Sequence, residues 1–195
     1  MGIRSPLPFP LTKKGNFENI LDMKSKLSIV GLAAFCLTLN ISLSAAEKFS
    51  VAGYSFSSPA DWKASTPSSS MRKAQFSAPG KGKQSAEVVF FYFGAGGAGG
   101  VKANVDRWMG QFKNPQNQKV ESDKVGDVRV TYVRATGTFL SGRPFGPKTP
   151  KEGYALLGAI IEGKKGAIFV KMTGPESAVQ SNAEKMQAMV ERALK

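Results

Sequence analysis

Apolar positions along this chain fall mostly into short alternating runs, punctuated by glycine, proline and serine, and only two segments carry the helical period. Phe49 to Phe56 alternates around Gly53 and reads as an edge strand or bent hairpin arm. Pro59, Ala60 and Asp61 make a turn, and the Trp62 that follows caps a core. Ser65 to Ser70 is a Ser/Thr/Pro loop. Met71 to Ala78 is a strand with Met71, Lys73 and Gln75 on one side and Arg72, Ala74 and Phe76 on the other. Pro79 to Gln84 is a turn. Ala86 to Phe93, AEVVFFYF, is apolar on both faces, as a central strand covered on both sides would be.

Gly94 to Gly100 is a glycine loop, and Val101 to Phe112 a helix. Its stripe is Val101, Val105, Trp108 and Phe112, with Lys102, Asp106 and Lys113 facing away and Asn114-Pro115 ending it. Lys119 to Val125 and Val128 to Phe139 are strands joined at Gly126-Asp127. Leu140 to Gly153 reads as a long loop. Tyr154 to Glu162 and Ala167 to Thr173 flank the turn Gly163 to Gly166, a connection short enough to require an antiparallel hairpin. Gly174-Pro175-Glu176 opens a last helix with Pro and an acid in its first turn, and Val179, Ala183, Met186, Val190 and Ala193 form its stripe. Most links between strands are too short for crossover helices. The class is therefore α+β: a central antiparallel sheet of six to seven strands with helices packed on it.

The N-terminal segment changes the picture of organisation. Met23 to Ala46 has the form of a secretory signal: Lys24 and Lys26, an apolar run from Leu27 to Leu39, and small residues Ser44 and Ala46 before a cut at Glu47. Residues 1–22 are either a disordered extension or a mis-assigned start, with translation beginning at Met23. The single domain is then 47–195. The expected location is exported, periplasmic or extracellular. Cys36, preceded by Phe35 inside the apolar run, reads as a leader residue and not as a lipid attachment site.

Beyond the leader the chain has no cysteine, and it has no histidine anywhere, which removes disulfides, the commonest acid–base group and a favoured metal ligand. The net charge of +13 points to anionic partners, including an anionic membrane or envelope surface, while an exported chain is not expected to meet nucleic acid.

The run Gly94 to Gly99 matches GxGxxG between a strand and a helix, with Glu121 and Asp123 beyond it. Any glycine pattern fits a run made only of Gly and Ala, and the antiparallel sheet lacks a second βαβ unit, so no cofactor is assigned. Two readings remain for the loop: a link using positive φ angles, or an anion contact at a helix start with Lys102 beside it. Asn104, Arg107 and Gln111 share a polar edge of the helix, with Arg107 able to clamp a carboxylate or phosphate or simply to tie the helix to nearby loops. Arg143 and Phe145 in the long loop are candidate partner contacts, against a solvated loop. No Ser–His or Cys–His pair and no GxSxG is present, and no serine is singled out for a Ser–Lys dyad, so no catalytic residue is assigned.

The order AEVVFFYF, glycine link, NVDRWMGQF, YALLGAIIEGKKGAIFVKMTGPESAV and closing helix resembles exported bacterial proteins with the PsbP-like α/β/α sandwich, from about Phe49 to Leu194. Asn104, Arg107, Trp108, Gln111 and Phe112, and then Lys171-Met172-Thr173-Gly174-Pro175, carry the likeness most strongly. The resemblance implies an antiparallel sheet with helices on both faces and a binding or assembly role without enzyme activity. The expected function is thus an exported, non-catalytic binding or assembly module acting on an unidentified protein or anionic ligand. The alternatives are a peripheral binder of anionic envelope surface and a cofactor-dependent or Ser–Lys enzyme.

Overall fold

Among the described residues ten glycines take positive φ, seven of them in the turns and links between elements. The computed structural model describes residues 45–142 and 146–195, so most of the expected leader, together with Arg143 and Phe145, lies outside the described residues. The strands are β1 (Lys48–Val51), β2 (Tyr54–Ser57), β3 (Lys63–Ala64), β4 (Arg72–Pro79), β5 (Ser85–Tyr92), β6 (Phe112–Val125), β7 (Val128–Ser141), β8 (Thr149–Gly163) and β9 (Gly166–Pro175). The helices are α1 (Val101–Met109) and α2 (Glu176–Leu194). Strands β1 and β2 form a hairpin of their own, and the other seven form one antiparallel sheet in the order β3-β4-β5-β9-β8-β7-β6. The expected α+β class, with an antiparallel sheet and helices packed on it, is what the chain adopts.

Alternation along the central strands feeds two cores. In β8, Leu157, Ala159 and Ile161 pack with Val170 and Met172 of β9 beneath α2, while Leu156 and Ile160 pack with Phe169 beneath α1. The helices therefore cover opposite faces, as period-two alternation in strands buried on both sides requires. Coverage is unequal. On one face the 19-residue α2 is joined by the β1–β2 hairpin, whose Phe49 and Phe56 stack among Phe76 and Phe90. On the other face, among the described residues, there is only the nine-residue α1.

Trp62 caps the first core as expected, and its indole Nε1 donates to Asn182 Oδ1 at 2.8 Å. Asn182, a fully buried polar residue within the α2 stripe, passes its amide to the carbonyls of Pro79 (2.7 Å) and Ala178 (2.8 Å). A buried amide is tolerated there because its donors and acceptor are all engaged.

Several expected boundaries move. The first helix ends at Met109, because Gly110 closes it by donating to Asp106 O; Phe112 stays in the stripe's core but sits on β6. Asn114 and Pro115 do not terminate the helix. Asn114 and Asn117 both take φ 50° inside β6, where the pairing with β7 slips, so the strand accommodates them as bulges. The stretch Leu140 to Gly153 is not one long loop: β7 and β8 remain paired through Phe139↔Lys151, Leu140↔Pro150 and Ser141↔Thr149, leaving only 142–148 as the connection. The polar composition of 149–153 hid a strand that extends past the core, where no burial enforces alternation. The short β3 was not foreseen. Among the described residues no helix is long and apolar enough to cross a membrane.

Candidate functional site

The glycine loop is a fitted link. Gly94, Gly96 and Gly99 take φ of 82°, 72° and 75°, and a Cβ at Gly97 would lie 2.1 Å from Phe93 O. Asn104 holds the loop from within the helix. It is 2 % exposed, and its Nδ2 donates to Ala98 O at 2.9 Å and Gly100 O at 3.0 Å. Its Oδ1 accepts from Arg107 at 2.7 Å. Lys102 is exposed and pairs with Asp106 at 2.6 Å. The polar edge thus ties helix to loop, one of the two readings given for it, and Arg107 remains exposed with further donors.

Gln111 parts company with Asn104 and Arg107. Past the helix end its Oε1 accepts a hydrogen bond from Lys171 Nζ, in the middle of β9. The α1 face of the sheet explains why that lysine matters. Trp108 lies directly on the β8 backbone at Gly158, where a Cβ would meet its Cζ3 at 2.1 Å. Around it the strands present Val133, Ala135, Leu156, Ile160 and Phe169, all buried. Farther from the helix the same face turns polar along each strand: Phe91, Val89, Glu87 and Ser85 on β5, and Phe169, Lys171 and Thr173 on β9. Being only nine residues long, α1 leaves this polar half uncovered among the described residues.

The open half holds a cleft of about 270 Å³. Phe139 and Tyr154 form one wall with parallel rings 6.1 Å apart. Gln75, Ser77, Ser85, Glu87 and Thr173 form the rest. A bulge between Arg72 and Ala74 turns Arg72 onto this face, where it pairs with Glu87 at 2.9 Å and lies 5.6 Å over the Phe91 ring. Gln75 bridges the two, accepting from Arg72 and donating to Glu87, each at 3.1 Å.

Lys171 stands where the helix-covered and open halves meet, with Nζ 5.3 Å from the centroid of Phe139. Burial pushes its ammonium down to about 8, Glu87 opposing this and Arg72 adding to it. Among the described residues it makes no ion pair: its partners are a neutral amide and an aromatic face. No serine hydroxyl among the described residues bonds to it, so the Ser–Lys alternative gains no geometry here.

Sequence reasoning did not single out Lys171 or Glu87 as site residues. The signal available was a lysine interrupting the apolar run AIFVKM, on the face that alternation assigns to Phe169 and Thr173. The structure does not bring Lys102, Asn104 and Arg107 to this cleft, and Arg143 and Phe145 are outside the described residues.

No family model matches the chain, and no curated protein does. Solved structures do. A Pseudomonas aeruginosa protein of unknown function, PA94, is similar at 12% identity over 75% of this chain and 94% of that one, with a TM-score of 0.43. Cyanobacterial PsbP (CyanoP) from Synechocystis sp. PCC 6803 is similar at 11% identity over 77% of this chain and 92% of that one, with a TM-score of 0.48.

Proposed function

We propose that this protein is an exported, non-catalytic binding module that takes an anionic ligand, or an anionic group of a partner, at the open half of the α1 face. The observation that carries this reading is the Lys171 ammonium, partly buried in the middle of β9, with a neutral amide and an aromatic face for partners and no carboxylate paired with it among the described residues. A cation partly withdrawn from water and left with neutral neighbours is costly, and an incoming anion offsets that cost more than it would at a fully solvated lysine. Arg72 does not compete for this role, being already paired with Glu87.

The test follows amide chemical shifts of the full chain during titration with small carboxylates and phosphate. Shifts centred on Gln111, Lys171 and Thr173, lost in Lys171→Met, support the reading. Shifts scattered over exposed lysines, unchanged in that variant, overturn it. Export is tested separately by sequencing the N-terminus of protein from the cell envelope or medium: a start at Glu47 supports cleavage, and intact chain confined to the cytosol refutes it.

A further inference from the structure

We infer that the outer edge of β6 pairs with the same edge of a second copy of this chain, antiparallel and centred on Val120, joining two sheets into one. The inference goes beyond the anion-binding reading and does not depend on it.

Strand β6 ends the seven-stranded sheet, and among the described residues no strand pairs with its far side. Its first part is unfit for pairing, with Asn114 and Asn117 at positive φ and Pro115 between them. From Lys119 to Val125 the pairing with β7 runs without a slip, and every residue of 119–124 is exposed. The two-residue turn Gly126-Asp127 makes Val125 and Val128 a hydrogen-bonded pair. Counting back from it, the backbone groups of Asp123, Glu121 and Lys119 face β7, and those of Lys124, Ser122 and Val120 face outward. The Lys124 N–H agrees: it donates to its neighbour Asp123 Oδ1 at 2.7 Å, as an edge amide without a strand partner does.

Charge then selects the register. Two copies related by a two-fold axis must set outward-facing residues opposite each other. Centred on Lys119, Glu121, Asp123 or Lys124, such a pairing sets that charge against itself, and centred on Ser122 it sets Glu121 against Asp123. Centred on Val120, it sets Lys119 of each copy opposite Glu121 of the other. These two side chains already pair within the strand at 2.7 Å, with Arg134 of β7 opposite Lys119 and Tyr132 opposite Glu121. The second copy gives each a further partner of opposite sign. On the other face of the strand Val120, 51% exposed and opposite the buried Val133, meets its own counterpart. The far end of the sheet is the two-residue β3, which offers no comparable edge, so the assembly closes as a dimer and does not extend into a stack.

Sedimentation equilibrium of the full chain, beside Lys119→Glu and Glu121→Lys, tests the inference. The parent should dimerise between about 1 and 100 μM, and each variant alone should weaken the association at least about tenfold. An equimolar mixture of the two variants should restore it, because each supplies the charges the other lacks. Amide exchange at Val120 and Ser122 should slow as the parent's concentration rises, with Glu121 protected throughout by β7. Both substituted side chains are exposed, and circular dichroism matching the parent's excludes misfolding as the cause. A parent that stays monomeric to about 100 μM, its edge left to water or to a foreign strand, overturns the inference. So does an association that the single variants keep, or that their mixture fails to restore.

Discussion

Lys171 and Tyr132 pull stability in opposite directions as pH rises. The lysine titrates near 8 in the fold against an ordinary value of 10.5, so between these values the unfolded chain holds more protons and raising the pH favours the folded state. Tyr132 is 8 % exposed, and burial, with Glu191 adding to it, pushes its phenol up to about 12 from 10.0. Its folded form keeps the proton longer, so that contribution is lost as pH passes from 10 to 12. Equilibrium denaturation should therefore show stability climbing from about pH 8, then falling above pH 10. Lys171→Met should flatten the climb and raise stability at pH 7 by roughly 1–3 kcal/mol, since it removes a partly buried charge without an ionic partner. Tyr132 Oη has no hydrogen-bond partner among the described residues, so Tyr132→Phe should be neutral or stabilising by up to about 1 kcal/mol. None of this was legible in the sequence, because alternation gives the face of a residue and not what stands opposite it.

At the scale of elements, Trp108 on Gly158 fixes how α1 meets the sheet. Gly158→Ala would drive a methyl into the indole, and with backbone on one side and a large ring on the other neither yields cheaply. A loss of about 1–3 kcal/mol in urea unfolding is expected, with the α1 face opened. Asn104→Ala removes the amide that holds the glycine loop, and should speed proteolytic nicking between Gly94 and Gly100 while leaving the α2 core intact. The central strands and both helices were readable because their apolar periods are forced by burial. The ends of α1, β7 and β8 were not, because Gln111 to Asn114 and Thr149 to Gly153 lie beyond the helix or the core, where pairing and not burial decides structure. The cleft itself stayed hidden for a topological reason: its lining joins the β4–β5 hairpin to β9, β8 and β7 through the β5–β9 pairing, between strands far apart in the chain.

The whole molecule carries a net charge of +13, and among the described residues its ion pairs are mostly exposed and weakly stabilising. That excess should draw it to anionic vesicles at low ionic strength, and sedimentation should fall steeply as salt rises through ~0.1 M, where the Debye length shortens to about 10 Å. Retention unchanged by salt would argue for apolar contact instead. Ligand binding at Lys171, being partly shielded from solvent, should weaken less over the same range.

Trp62 and Trp108, the chain's two tryptophans, lie in separate cores on opposite sides of one sheet. Each is therefore an optical reporter for its own layer: emission from Trp62 follows the Asn182 contact under α2, and emission from Trp108 follows the seating of α1. With one indole replaced by phenylalanine, the fluorescence of the other would distinguish an event at the open cleft from loosening of the far side.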